Sequence, residues 1–177
     1  MTAEKAISYF INLINKKEKY KLEDVKKVLD KIDIEDEIAA DDALTVLYSG
    51  EGDVKNQLLN AGSKVRMIDR TEAAKFINDK AFRDIIEFAI LKDSSVADYN
   101  TFENEYLYCV DPDKGFWASI SKRFASETKG DVYALVQHSV PNRICEKVEI
   151  PTILDADSIP ITAKINGKTK DINHERY

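Results

Sequence analysis

The sequence is poor in the residues that build disulfide frameworks and zinc sites. Of its 177 residues only two are cysteines, Cys109 and Cys145. They allow at most one disulfide, and two separate thiols fit the sequence equally well. The two histidines, His138 and His174, have no companions at the spacing of metal ligands, and there is no CxxC pair. We therefore expect no structural zinc and no bound metal.

Long apolar runs and an excess of basic residues are also missing. No run reaches the roughly 18 apolar residues of a membrane-spanning helix. The N-terminus lacks the basic-then-apolar layout of a signal peptide, so we expect neither a membrane span nor a signal peptide. The formal net charge is −6. Because nucleic-acid binders usually carry a basic face, we expect no nucleic-acid partner.

Hydrophobic residues, at 44%, are abundant enough for a substantial core, and their spacing changes along the chain. Residues 2–40 show helical periodicity, with a Lys-rich break at 16–21. All four prolines lie beyond residue 110, so none interrupts these helices. The polar end GKTKDINHERY is expected to fray. We divide the chain into an N-terminal helical segment (1–43), a mixed region (44–170) and a flexible tail (171–177).

Short β-prone runs alternate with helical patterns in the mixed region. The runs are LTVLYS (44–49), KVRMID (64–69), VYALVQ (132–137) and SIPITAKI (158–165). Helical patterns fall at 54–61, after an N-cap at Thr71, and at 80–92 and 95–109. We expect an α/β fold in which the helical N-terminal part packs on a small, mainly parallel four-stranded sheet with helical cover.

The stretch GFWASISKRFASETKGDVYAL (115–135) combines an amphipathic helix with a buried strand. Phe116, Ile120 and Phe124 recur at helical spacing and are candidates for the core. Gly130 is expected to cap the helix. Trp117 and Ser121 form a neighbouring stripe, which fits either an ordinary helix surface or the wall of a site.

The segment SVPNRICEKVEIPTIL is expected to be irregular or extended. Within it Glu149 stands between Val148 and Ile150, just before Pro151. In an alternating strand this carboxylate would simply face water. Beside Trp117 and Ser121 it would instead be a carboxylate of a site.

Together these motifs resemble the ADP-ribosyl cyclase / NAD glycohydrolase family. Around residues 114–153 the matching residues are Trp117, Ser121, Arg123, Phe124, Ala125, Val132, Tyr133 and Val148–Ile150. Around residues 44–78 they are Leu47–Ser49 and Met67–Thr71. Tyr48 stands where the family has Trp, and Asp69 where it has Glu. Tyr48-Ser49-Gly50 and Glu149-Ile150-Pro151 are also similar to motifs of NAD-degrading toxin domains of bacterial delivery proteins.

The resemblance implies that region 44–170 cleaves the nicotinamide–ribose bond of NAD, with NADP as an alternative substrate, into nicotinamide and ADP-ribose. Glu149 would stabilise the cationic ribose, with Trp117 and Ser121 completing the catalytic set. The implied substrate-binding residues are Tyr48, Ser49, Asp69, Thr71 and Arg123. In this hypothesis Trp117 stacks on nicotinamide with Tyr48 opposite or beside it. Asp69 accepts from the carboxamide, and Arg123 and Lys122 bind the diphosphate. NAD is the substrate, so no separate cofactor is expected.

The same resemblance predicts the biological setting. We expect a secreted or delivered toxin that acts in the cytoplasm of a target cell, with a cognate immunity protein as a partner. Two alternatives remain open. One is a non-catalytic acidic interaction or immunity-type protein, which the net charge fits. The other is ADP-ribosyl cyclase or transferase activity, which uses the same glutamate.

Overall fold

The chain folds into eight α-helices and five β-strands within the part that the structure describes. The structure is a computed structural model and describes residues 1–49, 53–92, 95–136, 143–155, 161–165 and 168–171. The helices are α1 (Ala3–Asn15), α2 (Leu22–Leu29), α3 (Asp53–Asn60), α4 (Glu72–Asn78), α5 (Phe82–Ile90), α6 (Tyr99–Phe102), α7 (Phe116–Ser126) and α8 (Ile150–Asp155). The strands are β1 (Leu44–Ser49), β2 (Val65–Arg66), β3 (Val132–Val136), β4 (Ile161–Ile165) and β5 (Lys168–Asp171).

These elements form two compact units, each made of two chain segments. The helical unit comprises Met1–Glu35 and Thr71–Ile120, and the sheet unit comprises Asp36–Arg70 and Ser121–Tyr177. The division does not coincide with the expected boundary at residue 43, because the middle helices pack with the N-terminal ones. Sequence order alone does not reveal this packing.

The helical unit is built around buried phenylalanine rings. Phe76 and Phe82 pack edge to face with centroids 5.5 Å apart, and Phe102 and Phe116 do so at 5.1 Å. Such pairs contribute beyond the area they bury. Phe10 of α1 joins the cluster through Phe76, at 6.3 Å. This cluster ties the first helix to the middle of the chain.

Some of the predicted helix starts and ends are confirmed, and others are wrong. The predicted break at 16–21 is confirmed, and Lys17 adopts a positive φ of 57° there. Thr71 is confirmed as an N-cap, since its side chain accepts the N–H of Ala74 at 3.2 Å. The helical prediction for 2–40 is wrong beyond Leu29, apart from turns. Asp36 in that segment is drawn into a buried ion pair instead.

The sheet unit confirms the α/β class but not the strand count. The strand order is β2-β1-β3-β4-β5, with neighbours parallel from β2 through β4 and with β5 antiparallel to β4. The sheet therefore has five strands rather than four. The extra strand, Lys168–Asp171, lies in the end expected to fray and includes the first residue of the expected tail. Residues 172–177 lie outside the described residues.

Two of the strand predictions match closely and one is too long. Strand β1 has the predicted bounds, and β3 matches except at Gln137, which is not described. Residues 158–160 of the last run are likewise outside the described residues. The run 64–69 forms a strand only at Val65–Arg66, because Ile68–Arg70 turns into a 3₁₀ helix.

The segment around Glu149 is helical, which corrects the expectation of an extended chain. Cys145–Glu149 forms a π-helix that leads directly into α8. Pro151 biases the preceding residue, Ile150, against a helical conformation. Burial of Val148, Ile150 and Ile153 outweighs this bias. Glu149 itself is 5% exposed, so the water-facing interpretation is also wrong.

Helix α7 buries the residues predicted for the core, but Gly130 does not cap it as expected. Phe116, Ile120 and Phe124 are all buried. The helix ends at Ser126, four residues before Gly130. Gly130 has a φ of 81° and belongs to the turn that enters β3. Its conformational freedom serves that turn, not the helix end.

A buried ion pair organises the first half of the sheet unit. An Nη of Arg70 lies 2.7 Å from Asp36 Oδ2, and the two side chains are 7% and 0% exposed. Arg70 also donates to the carbonyls of Gly62 and Val65. The N–H of Met67 donates to Asp36 at 3.0 Å. Both charges are therefore compensated by several hydrogen bonds, which burial of an ion pair requires.

The composition also led to expectations about membrane spans, metal sites and disulfides, and the structure bears on each of them. None of the helices described in the structure is long and apolar enough to cross a membrane. The described residues include no group of three or more His, Cys, Asp or Glu that could hold a metal ion. Cys109 and Cys145 form no disulfide in the described part of the chain.

We predict that Arg70→Met strongly destabilises the protein, because it leaves Asp36 buried without its counter-charge. The expected loss in the free energy of unfolding is about 3–5 kcal/mol. The matched control is Arg83→Met, which breaks the exposed pair with Glu87 and should cost under about 1 kcal/mol. Urea unfolding measures both. Equal losses would show that the buried pair does not stabilise the fold.

We predict that Gly115→Ala is more destabilising than Gly130→Ala. A Cβ at Gly115 would overlap the backbone carbonyl of Cys109, which cannot move without shifting the chain. At Gly130 no atom lies within 4 Å, and only the positive φ penalises alanine. Expected losses are roughly 3 kcal/mol or more against about 1 kcal/mol. The unfolding midpoints of the two variants measure these losses. A Gly115→Ala variant as stable as wild type would contradict the close approach of Gly115 to the Cys109 carbonyl.

Candidate functional site

The candidate site lies at the carboxyl ends of β1 and β3. Strand β1 has β2 on one side and β3 on the other, so the chain changes direction across the sheet between β1 and β3. Open α/β sheets bind ligands at such a switch point, beyond the carboxyl ends of the strands. Tyr48, near the end of β1, pairs with Leu135 of β3. Tyr48 thus stands at this position.

A short network joins Tyr48 to two other elements. The phenol of Tyr48 donates to Asp69 Oδ2 at 2.6 Å. Lys55 Nζ lies 3.3 Å from Asp69 Oδ1. Asp69 comes from the 3₁₀ turn after β2, and Lys55 from the first turn of α3. The Asp69 side chain is 10% exposed and that of Lys55 44%, so the network runs from a buried carboxylate to the surface.

Glu149 adds a second carboxylate to the surroundings of Tyr48. It is the last residue of the π-helix, and this helix packs against β1. Burial raises the pKa of Tyr48 far above its ordinary value, and the hydrogen bond to Asp69 and the charges of Asp69 and Glu149 raise it further. Tyr48 therefore stays neutral and donates a hydrogen bond to Asp69. π-Helical turns of this kind are frequent at functional sites.

Arg66 holds the last turns of α7 against the sheet. Its guanidinium lies 3.8 Å from the centroid of the Phe124 ring and donates to the Phe124 carbonyl and to Thr128 Oγ1, both at 3.0 Å. Ser121, on the same helix, is only 3% exposed. Among the described residues no hydrogen bond to its hydroxyl is formed.

The structure brings together part of the predicted site. Tyr48 and Asp69 are bonded, and the charge of Glu149 acts on Tyr48. Trp117 is half-buried and belongs to the helical unit, one turn before Ser121 on α7. Arg123 is half-buried on the same helix.

Two predicted roles differ in the structure, and a third concerns a side chain that the structure does not describe. The Thr71 hydroxyl caps α4, which occupies one of its lone pairs. Asp69 was expected to accept from a carboxamide, yet both of its oxygens already have partners in Tyr48 and Lys55. Ser49 ends β1, and its side chain lies outside what the structure describes.

Sequence reasoning did not single out Lys55. Its signal was available, because a basic residue in the first turn after the first parallel strand stands at the usual place for ligand contact. What was missing was the pairing with Asp69, which depends on how β2 and its turn fold back beside β1. The result is a phenol hydrogen-bonded to a carboxylate that also pairs with an ammonium, with the charge of Glu149 raising the pKa of the phenol further. Such a patch suits a ligand that carries both a cationic ring and polar groups.

We predict that the contribution of Tyr48 to stability is lost at alkaline pH. Because its folded pKa is raised, the folded state holds the proton more tightly, so the contribution is complete below the unfolded pKa of about 10 and declines above it. Wild type should therefore exceed Tyr48→Phe in free energy of unfolding by about 1 kcal/mol at pH 7. This difference should shrink between pH 10 and 11.

Urea unfolding across this pH range measures the difference. Tyr108→Phe is the control, since the side chain at 108 is 57% exposed and its loss should be nearly neutral at every pH. A difference between wild type and Tyr48→Phe that stays constant up to pH 11 would contradict a phenol held neutral by burial and by two carboxylates.

The chain matches no protein-family model, no curated protein and no solved structure. No family membership or activity therefore comes from a known relative.

Proposed function

We propose that the protein is an NAD glycohydrolase, which cleaves NAD at the nicotinamide–ribose bond into nicotinamide and ADP-ribose. The observation that carries this proposal is the pair of carboxylates, Asp69 and Glu149, around the neutral phenol of Tyr48 at the switch point. This arrangement fits a cationic aromatic ring attached to a sugar. The motifs that resemble NAD-cleaving enzymes support the same substrate.

The chemistry requires little beyond a well-placed carboxylate. The C–N bond to nicotinamide breaks with its electron pair going to the ring nitrogen, so the cationic ring leaves as a neutral molecule without a proton donor. The ribose develops oxocarbenium character. Glu149 stabilises this charge from a poorly solvated position, where an oriented carboxylate is worth more than in water. Water then adds to the ribose carbon and releases a proton.

The aromatic residues account for binding of the cationic ring. The Tyr48 phenol is held in place by its bond to Asp69, so its ring is oriented before substrate arrives. Cation–π attraction to such a ring is worth about 0.5–2 kcal/mol. Trp117 shares a helix face with Ser121, and we assign to these two a second stacking ring and a hydroxyl for the ribose. The reaction needs no further cofactor.

The setting is part of the proposal and rests on the resemblance to delivered toxin domains. In that setting the enzyme depletes NAD in the cytoplasm of a target cell. A producing cell then needs a cognate immunity protein to protect its own NAD. Assay of NAD content in cells that express the chain, with wild type and inactive variant side by side, examines this role.

We predict that purified wild type releases nicotinamide from NAD and that Glu149→Gln lowers kcat by about 100-fold or more. The amide keeps the size of the side chain but removes its charge. Glu105→Gln is the control, because Glu105 is exposed on the helical unit and its charge should not affect cleavage. Chromatography of the products measures the rates and separates ADP-ribose from a cyclic product.

The unfolding midpoints of both variants show whether the fold is retained. If wild type releases no nicotinamide, the proposed function is wrong. If folded Glu149→Gln is as active as Glu105→Gln, NAD cleavage uses other residues. A cyclic product instead of ADP-ribose would replace hydrolysis with cyclisation.

A further inference from the structure

We propose that Lys55 is the anion-binding residue of this site, which holds a phosphate of the dinucleotide, and that Asp69 is a positioning residue for Lys55 and Tyr48. This inference rests on the proposed function. It replaces the expected contact of Asp69 with the carboxamide, and it adds a residue that no sequence motif singled out.

The geometry leaves Lys55 able to bind a second group. A lysine ammonium has three N–H donors, and Asp69 is its single anionic partner among the described residues. The side chain is 44% exposed, so the remaining donors are accessible to an incoming ligand. The Asp69 side chain is 10% exposed and binds the ammonium on the side that faces the protein. Lys55 is thus anchored at one side and open at the other.

Charge balance makes such a cation necessary. Asp69 and Glu149 favour the cationic ring of NAD, but they repel its diphosphate. A substrate with both groups needs a positive charge close to the two carboxylates. Lys55 is in direct contact with one of them. Lys55 thus supplies a cation that lets one site accept both parts of the substrate.

Asp69 lowers the cost of this recognition. A lysine side chain loses considerable rotamer entropy when a ligand immobilises it. The ion pair with Asp69 restricts Lys55 before binding, just as the short hydrogen bond restricts Tyr48. One carboxylate therefore orients both the ring and the ammonium. This explains why each of its oxygens has a different partner.

The position in the fold agrees with this role. Lys55 belongs to the helix that follows β1, and β1 borders the switch point. In open α/β sheets the turn and helix after the first strand are where phosphate groups of nucleotides bind. The charged end of Lys55 reaches the carboxylate of the turn after β2. It therefore stands above the carboxyl edge of the sheet.

The test compares Lys55→Met with Lys55→Arg and with the control Lys64→Met, which removes an exposed lysine of the same unit. Substrates are NAD and nicotinamide riboside, which has the same scissile bond but no phosphate. We expect Lys55→Met to raise KM for NAD about tenfold or more. It should leave kcat/KM for nicotinamide riboside within about twofold. Lys55→Arg should retain most of the affinity for NAD, and Lys64→Met should behave as wild type.

Calorimetric titration with ADP-ribose supplies a readout that does not depend on catalysis. We expect Lys55→Met to weaken ADP-ribose binding about tenfold and to reduce its dependence on salt. Unchanged ADP-ribose affinity in Lys55→Met would overturn the inference. So would an equal loss on NAD and nicotinamide riboside, because Lys55 would then act only by fixing Asp69.

The two proposals fail in different ways. If wild type cleaves neither substrate, the proposed function is wrong, while ADP-ribose binding that depends on Lys55 would still support the anion site. If wild type cleaves NAD and Lys55→Met binds ADP-ribose as tightly, only the anion site is wrong. Unfolding midpoints of the three variants confirm that the comparison is made on folded protein.

Discussion

The buried pair of Asp36 and Arg70 is the interaction on which the candidate site depends. Arg70 donates to the carbonyls of Gly62 and Val65, and Asp36 accepts from the backbone N–H of Met67. These bonds shape the chain between β2 and the 3₁₀ turn. Because Asp69 lies within that turn, the pair also determines where its carboxylate points. A buried ion pair adds little net stability by itself, but it penalises every arrangement that leaves either charge alone.

Asp69 in turn positions two other residues of the site. Its two oxygens accept from the phenol of Tyr48 and the ammonium of Lys55, so one side chain from the turn after β2 holds residues of β1 and α3. Glu149 approaches from the π-helix that packs on β1. The buried carboxylates would destabilise the fold without partners. The neutral phenol of Tyr48 and the ammonium of Lys55 each offset part of that cost.

Sequence reasoning succeeded where a short signal acts locally. LTVLYS has the bounds of β1, Thr71 caps its helix, and Phe116, Ile120 and Phe124 are buried. It failed where distant packing decided the outcome. The helix around Glu149 forms against the local bias of Pro151, and the strand Lys168–Asp171 forms because β4 offers it an edge. Asp36 lies within a helical pattern but not in a helix, because it pairs with Arg70. A local pattern cannot show this pairing, since Arg70 is 34 residues away.

The sequence by itself determined the α/β class and the strongest helices and strands. These follow from hydrophobic periodicity, caps and β-branched runs, which act over a few residues. The tertiary structure decided that Tyr48, Asp69 and Lys55 form one network, that Glu149 is buried, and that residues 71–120 pack with the first helices. The physical reason is that such contacts join segments far apart in the chain, and their energies depend on burial and charge, which no short pattern encodes.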